Sequence, residues 1–420
     1  MLASKLTYRS SSSPTTARLE WLSIIEATSP LWTSISPSKR ELIRSFLSTL
    51  HHEIIKRTRP SSTFNFQSAA VGNLFLTGAR LFTGSFESAI YLLAAITGVS
   101  GKTEVIPAIN SNFTNHISAG LEDGTVITGQ NSISHPSAPS SNSQFTTPNF
   151  EQNEISNPAA DGAESPLTQG RRFSLELSLH DKVEDANLPG SLPTLRKQNI
   201  TFAKEQTEDL PTRISRIWYI NPYGQEIRPA PNTAVLDSLE KASSIVYSIG
   251  SLYTSIIPCL VLRDVGAAIA SPLIKYKILI LNGSLDRETR SVEGGDFSAA
   301  DFARAIADAC NSSNPRKKAA GQVRDYITHI IYLHGEGTPR VDKGEMAELG
   351  IECVRIYGRR LGAGMIYDSG ALTGALEAIL GSPRRNNGNG NGRGRGEKSR
   401  RNTVDDFGGM VGRKMGGQGP

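Results

Sequence analysis

The alternation of short apolar runs and helical segments in the second half of the chain is the feature that most constrains its fold. Segments typical of strands occur at 217–220, 244–248, 276–281 and 327–333, and a shorter one at 352–356. Segments with helical periodicity separate or follow them at 233–241, 257–270, 298–311 and 370–380. Parallel strands require such crossover helices, whereas antiparallel strands need only short turns. The order therefore predicts an α/β fold, a Rossmann-like, doubly wound and mostly parallel sheet.

The first part of the chain predicts helices followed by a hairpin. Residues 18–58 have helical periodicity, and the small, apolar stretch 71–97 is interrupted by Gly84, which predicts two buried helices joined there. A short strand is predicted at 104–109. An Asp-Gly pair between the apolar runs of 121–127 is a strong hairpin signal.

Composition divides the chain into five segments. Ser, Pro, Asn and Gln dominate 137–210, and Gly, Asn and Arg dominate 382–420, so neither segment has the clustered apolar residues that a core requires. A weak alternation at 173–177 is the one candidate edge strand of the insertion. The predicted order is a disordered N-terminus (1–17), the first part of the domain (18–136), a large disordered insertion (137–210), the second part of the domain (211–381) and a disordered C-terminal tail (382–420).

Charge and cysteine usage favour the cytosol. The net charge of +5 comes largely from arginines of the tail, so it says little about the folded surface. Three widely spaced cysteines argue against a disulfide framework or a zinc site, which indicates a reducing compartment. A mitochondrial presequence is the alternative, since Lys5, Arg9 and Arg18 precede the first acidic residue. No apolar run reaches membrane-spanning length, so no membrane partner is expected.

The strongest candidate site follows the predicted strand 244–248. Gly250 comes directly before a run of hydroxyl residues and a helix that begins near Pro258. Backbone amides at such a helix start, with the hydroxyls of Ser251, Thr254 and Ser255, could hold a phosphate. The alternative is an ordinary tight turn with hydroxyl caps. The spacing of the glycine and hydroxyl residues, taken alone, favours this alternative.

Two further polar segments follow predicted strands. Asn110 and Asn112 come after 104–109, where their amides could bind substrate hydroxyls or simply form a polar surface turn. Asn282 ends the strand 276–281 and is followed by Glu288, in a position where open α/β sheets gather ligand contacts. A strand-end turn is the alternative for Asn282.

Several motifs resemble those of the CofD/YvcK family, which comprises 2-phospho-L-lactate transferases and UDP-sugar-binding regulators. The segment Gly-Ser-Leu-Tyr-Thr-Ser-Ile-Ile-Pro at 250–258 is similar to a family loop, and Gly72-Asn73 resembles a family helix start. Val-Ile-Pro at 105–107, the hairpin that follows and Arg-Glu-Thr at 287–289 agree in the same order. The sequences of these motifs are most similar to those of eukaryotic, fungal-type members.

The resemblance implies a nucleotide-activated small molecule or nucleotide sugar as partner. It implies either transfer of a phospholactyl-type group to an alcohol or, as the alternative, a regulatory module that binds a nucleotide sugar without catalysis. Catalytic residues remain unassigned. The binding residues that it implies are Gly250, Ser251, Leu252, Tyr253, Thr254, Ser255, Asn282, Glu288, Asn110, Asn112 and Asn73.

One departure from the family pattern affects the expected activity. A glycine-rich first phosphate loop and the acidic segment that holds nucleotide and magnesium in the family have no counterpart in this sequence, so no metal ligands are predicted. A truncated gene model is the favoured explanation, and a remnant with impaired catalysis is the other. The Arg/Gly tail resembles RNA-binding segments, but no stacking aromatics accompany it, which favours a solvated tail. A homodimer is compatible with the sequence.

Overall fold

A computed structural model describes residues 7–58, 64–109, 111, 115–135, 192, 195, 209–313, 320–362 and 364–381. Most of the predicted insertion, with its candidate strand at 173–177, and the predicted tail lie outside the described residues. Leu210, at the predicted end of the insertion, is fully buried and pairs with Ser291 in an isolated bridge. The ordered body therefore includes residues that composition alone assigned to the low-complexity segment.

Residues 14–97 form helices with a core of their own. The helices are α1 (Pro14–Ile25), α2 (Pro37–Arg57), α3 (Val71–Thr83) and α4 (Phe86–Thr97). The helical periodicity of 18–58 corresponds to two helices, because the chain breaks between α1 and α2, where Ala27 has a left-handed φ of 64°. Gly84 ends α3 with a φ of 69°, which confirms the predicted junction of two helices. Trp21, Leu47 and Phe75 are among the buried residues of this helical core.

The predicted hairpin lies in an antiparallel sheet. Its strands are β1 (His116–Leu121), β2 (Val126–Thr128), β3 (Ile214–Ile220) and β4 (Glu226–Ile227), in the order β2-β1-β3-β4, and α5 (Gln130–Ser134) follows β2. The strand predicted at 217–220 is present, but it pairs with β1 rather than in a parallel series. The strand predicted at 104–109 is wrong. Only Ile109 makes an isolated bridge, and Pro107 cannot donate to a ladder.

A four-stranded parallel sheet forms the rest of the fold. Its elements are α6 (Thr233–Lys241), β5 (Ser244–Tyr247), α7 (Ile257–Leu260), α8 (Val265–Ile269), β6 (Tyr276–Ile280), α9 (Ala299–Ser312), β7 (His329–Tyr332), α10 (Lys343–Glu348) and β8 (Glu352–Arg355). The strand order is β5-β6-β7-β8, and every pair is parallel. The predicted mixed α/β fold with a parallel sheet and helices is thus confirmed.

Helices cover both faces of this sheet. Leu279 of β6 belongs to the core that includes α9, whereas Ile278 and Ile280 pack with α11 (Ser369–Leu380). Successive side chains of a strand point to opposite faces, so a strand covered on both sides is apolar throughout. This is why 278–281 has a continuous rather than an alternating apolar pattern.

Two parts of this region differ from the prediction. The helix predicted for 257–270 is divided into α7 and α8, because Asp264 between them has a φ of 65°. A hairpin of β9 (Gly358–Leu361) and β10 (Gly364–Tyr367), which the sequence analysis did not predict, comes between β8 and α11. We call residues 358–367 the arm. Among the described residues, no helix is long and apolar enough to cross a membrane.

Candidate functional site

The carboxyl ends of β5, β6 and β7 open into three loops at one edge of the parallel sheet, which we call the carboxyl edge. The loop after β5 contains Gly250 and the loop after β6 begins with Asn282. The side-chain amide of Asn282 donates a hydrogen bond to the carbonyl oxygen of Gly250, at 3.4 Å. Two of the predicted site residues, 32 positions apart in sequence, therefore lie side by side.

A buried carboxylate organises the loop after β5. Glu288, only 2% exposed, accepts hydrogen bonds from the backbone amides of Tyr253 (2.8 Å) and Thr254 (3.0 Å) through Oε2. Its Oε1 accepts from the hydroxyls of Thr254 (2.5 Å) and Ser134 (2.9 Å). The single side chain thus connects three segments: the end of α5, the π-helical turn Leu252–Ile256 and the short helix Arg287–Thr289.

These contacts change the roles predicted for part of the loop. The Tyr253 and Thr254 amides and the Thr254 hydroxyl, which we expected to hold a phosphate, hold the Glu288 carboxylate in this structure. Leu252 and Tyr253 are buried as well, and the Tyr253 hydroxyl donates to the carbonyl oxygen of Ile214. A carboxylate already satisfies the positive end of this helix start, so a phosphate at the same amides would meet a like charge.

The more accessible part of the same loop keeps free polar groups. Ser251 is half-buried, Ser255 is exposed, and Ser284 is exposed in the loop after β6. Within the part of the chain that the structure describes, the hydroxyls of these three serines have no hydrogen-bond partner. Gly250 is confined, because a Cβ there would lie 2.9 Å from the Cβ of Ser255. A ligand at the carboxyl edge would meet hydroxyls, an amide and glycine backbone.

Burial raises the pKa of Glu288, and the nearby negative charge of Asp286 raises it further. The hydrogen bonds from Thr254, Ser134 and Tyr253 act in the opposite direction, because they stabilise the ionised form. Asp286 is held by a capping box in which it accepts from the amide of Glu288 and the hydroxyl of Thr289. The net result is a carboxyl group that gives up its proton less readily than an exposed glutamate.

Three predicted residues are not brought to this place by the described contacts. Asn73 is exposed on α3, and that helix packs against α2 and α4 in the helical core. Asn110 and Asn112 lie outside the described residues. Ser134 was not predicted at all. It follows the hairpin by a few residues, and nothing in its sequence neighbourhood indicates a contact with Glu288, 154 positions away.

The arm lies against the carboxyl edge. The amide of Met365 donates to the carbonyl oxygen of Gly283 at 2.8 Å, and the Tyr367 hydroxyl donates to the carbonyl oxygen of Leu281 at 2.6 Å. Arg360 pairs with Glu336, in the loop after β7, at 2.9 Å. The arm therefore contributes side chains and backbone to the edge at which the predicted site residues meet.

A cavity of about 510 Å³ lies near the loops after β6 and β7 and the start of α9. A chain of ion pairs runs along it, in which Asp301 contacts Arg213 at 3.4 Å and Arg304 contacts Glu345 at 2.8 Å. These charges connect the residue before β3 with α9 and α10. The lining residues are Arg213, Leu285, Asp296, Phe297, Ser298, Asp301, Arg304, Thr338, Arg340 and Glu345.

The described residues offer no preformed cage of side chains for the magnesium that the family resemblance implies. Divalent cations of this kind are held by oxygen ligands, above all by carboxylates. No group of three or more His, Cys, Asp or Glu side chains within the described ranges is placed to hold a metal. Glu288 has its two oxygens engaged by four donors, so it is not a free ligand.

The parallel sheet, with polar loops meeting at its carboxyl edge, defines an open α/β protein with a candidate ligand site at that edge. The model of the family described as 2-phospho-L-lactate transferase CofD matches residues 39–355, and the chain belongs to this family. This confirms the resemblance found in the motifs.

The chain is also similar to two named proteins and to a solved structure. Uncharacterized protein YNL011C of Saccharomyces cerevisiae is 36% identical over 352 residues, which cover 81% of this chain and 76% of that protein. Gluconeogenesis factor of Halalkalibacterium halodurans is 39% identical over 64 residues, 15% of this chain and 19% of that protein. The crystal structure of protein BH3568 from Bacillus halodurans is similar, with a TM-score of 0.46 and 17% identity, over 88% of this chain and 89% of that chain.

Proposed function

We propose that this protein binds a nucleotide-activated phosphometabolite at the carboxyl edge and transfers a phospholactyl-type group from it to an alcohol acceptor. The observation that carries the proposal is the pairing of Asn282 with Gly250, which brings two loops with free hydroxyls together at one edge of the sheet. Open α/β sheets bind ligands at this edge. Membership of the family described as a 2-phospho-L-lactate transferase supports the reaction class.

In the proposed transfer, the acceptor hydroxyl oxygen forms a bond to the phosphorus that carries the lactyl group. The bond from that phosphorus to the bridging oxygen of the diphosphate breaks, and a nucleoside monophosphate leaves with the electron pair. The acceptor proton passes to solvent. Ser251, Ser255 and Asn282 bind and orient the donor through hydroxyl and amide groups. Glu288 holds the loop after β5 in shape without touching the donor, and Asn110 or Asn112 remains the predicted contact to the acceptor.

A second candidate is a regulatory module that binds a nucleotide sugar without turnover. The match of 64 residues to Gluconeogenesis factor favours this alternative, since that name describes a role in metabolic control rather than a reaction. Both candidates use the same carboxyl edge. They differ in whether an acceptor is modified.

Titration calorimetry with UDP-N-acetylglucosamine and GDP tests the binding site. Replacing Ser251 with Trp should abolish binding, because the ring would fill the space beside Gly250. Ser243→Trp is the matched control, since Ser243 is exposed just before β5 begins, at the opposite edge of the sheet, and should leave binding unchanged. If wild type and Ser251→Trp bind equally well, the ligand does not bind at the carboxyl edge.

Turnover separates the two candidates. Transfer of radiolabel from a nucleotide-activated phospholactate to a deazaflavin alcohol identifies the transferase. Binding of UDP-N-acetylglucosamine without any transfer favours the regulatory module. If the wild-type chain neither binds these nucleotides nor transfers label, the proposed function is wrong. We place this activity in the cytosol, because three cysteines with free thiols suit a reducing compartment.

A further inference from the structure

The arm holds the backbone on both sides of Asn282 in the loop after β6. The hydroxyl of Tyr367 donates to the carbonyl oxygen of Leu281, the residue before Asn282, at 2.6 Å. The amide of Met365 donates to the carbonyl oxygen of Gly283, the residue after it, at 2.8 Å. A side chain whose backbone is held on both sides keeps one direction, so these two bonds fix where the Asn282 side chain points.

The Tyr367 hydroxyl lies where β6 and β7 meet at the carboxyl edge. It is 3.2 Å from the carbonyl oxygen of Ile331 in β7, and that oxygen also accepts from the amide of Leu281 at 3.0 Å. Burial raises the pKa of Tyr367 above its ordinary value, so the phenol keeps the proton that it donates. One side chain of the arm therefore holds the end of β6 against β7, at the point where the loop with Asn282 begins.

The side chain of Asn282 has one end engaged and one end open. Its nitrogen donates to the carbonyl oxygen of Gly250, and because a carbonyl oxygen only accepts, this contact decides which end is the nitrogen. Among the residues that the structure describes, the side-chain oxygen has no hydrogen-bond partner. Phosphate oxygens are acceptors as well, so this oxygen is suited to a donor group of a ligand, such as a sugar hydroxyl.

We propose that Tyr367 is a positioning residue for ligand binding, which acts through Asn282 by holding its side-chain oxygen toward a sugar hydroxyl of the ligand. This inference rests on the proposed function, and it assigns a role to a residue beyond the 39–355 that the family model matches. Tyr367 bonds to the backbone of β6 and β7, so its effect on the ligand is indirect. A contact that is ordered before binding favours affinity, because no entropy is lost in ordering it on binding.

A double-mutant cycle tests whether Tyr367 acts through Asn282. Titration calorimetry on the full chain uses UDP-N-acetylglucosamine or GDP, whichever wild type binds more tightly. We expect Tyr367→Phe to bind about fivefold more weakly, as for loss of one neutral hydrogen bond, and Asn282→Ala about tenfold more weakly. In the Asn282→Ala chain, Tyr367→Phe should cause no further loss, because no side chain is left to position. A tyrosine with a merely structural role would give losses that add.

Tyr326→Phe is the matched control. The Tyr326 hydroxyl donates to the side-chain oxygen of Asn311 at 2.7 Å, and Tyr326 precedes β7, so this bond lies at the opposite edge of the sheet. Nucleotide binding to this variant should equal that of wild type. If Tyr367→Phe binds like wild type, or if the losses add in the double variant, the positioning role is wrong and the proposed function stands. A wild-type chain that binds neither nucleotide would overturn both.

Discussion

At the residue scale, Glu288 determines the shape of the loop after β5. Its carboxylate takes the amides of Tyr253 and Thr254, which at the start of a helix would otherwise lack partners. Buried polar groups without a partner are costly, so this one side chain stabilises a turn that local sequence alone would not. Gly250 and Ser251 directly precede that turn, so the turn fixes their position.

Replacing Glu288 with Ala should lower the free energy of unfolding by about 3–5 kcal/mol, because two buried amides and the Thr254 hydroxyl lose their acceptor. Glu288→Gln should lose only about 1–2 kcal/mol, since one amide oxygen still accepts and the two hydroxyls can turn to accept from the NH₂ group. Urea denaturation measures both. Exposed Glu293→Ala is the control, with an expected change within about 0.5 kcal/mol. Equal losses for the Ala and Gln variants would contradict this role.

The raised pKa of Glu288 predicts a pH dependence. Since burial holds this pKa above its ordinary value of 4.5, the folded chain binds the proton more tightly than the unfolded chain. The contribution of Glu288 to the unfolding free energy therefore falls as pH rises from that ordinary value through the folded pKa, and is constant above it. Urea denaturation of wild type and Glu288→Gln across this range measures the effect. As pH rises, the free energy of unfolding of wild type should fall relative to that of Glu288→Gln. A difference that does not change with pH would contradict the prediction.

At the scale of elements, close approach of backbone decides where the arm lies. Gly283→Ala should lower the free energy of unfolding by about 1–3 kcal/mol, because the new Cβ would force the carbonyl of Met365 away. Hydrogen exchange of residues 358–367 should rise at the same time. Gly374→Ala is the matched control, as nothing lies within 4 Å of a Cβ there, and in a helix it should stabilise by about 0.5–1 kcal/mol. Unchanged exchange in the arm of Gly283→Ala would show that the contact is not required.

The elements also show what sequence patterns can and cannot predict. The continuous apolar pattern of 278–281 correctly indicated a buried parallel strand, since both faces of β6 are covered. The arm was not predicted, because its strands have four residues each, and the backbone group that holds it at the sheet belongs to a loop distant in sequence. The split between α7 and α8 was missed for a similar reason. Asp264 is left-handed, and its amide donates to the distant carbonyl oxygen of Ser313 at 3.3 Å.

For the candidate site, the sequence predicted the loops but not the contacts between them. A strand followed by glycine and hydroxyl residues indicated the loop at 250–258, and Asn282 at a strand end indicated its neighbour. The sequence did not predict that the Glu288 carboxylate would accept hydrogen bonds from the backbone amides of this loop, because the hydrogen bonds of Glu288 span 34 to 154 positions. Local patterns locate loops at a sheet edge, but which polar groups satisfy one another there depends on the tertiary fold.

At the scale of the whole molecule, two cores with no shared residue stabilise different parts of the chain. Trp21 and Phe75 belong to the helical core of residues 14–97, and Phe302 belongs to the core around β3, α9 and the parallel sheet. Helices α1 to α4 thus obtain their hydrophobic stabilisation from the first of these cores, whereas α11 packs in a third, smaller cluster with Ile278, Ile280 and Ile331. The free energy of local unfolding is higher for a segment that is more deeply buried.

Phe75→Ala and Phe302→Ala form a matched pair for testing this division. Both rings are almost fully buried, and removal of either should cost about 3–5 kcal/mol. In native-state hydrogen exchange, Phe75→Ala should reduce protection in α1 to α4 first and leave β6 and β7 close to wild type. Phe302→Ala should show the reverse. If either variant lowers protection equally in α2 and β6, the chain unfolds as one cooperative unit, and the helical core has no independent stability.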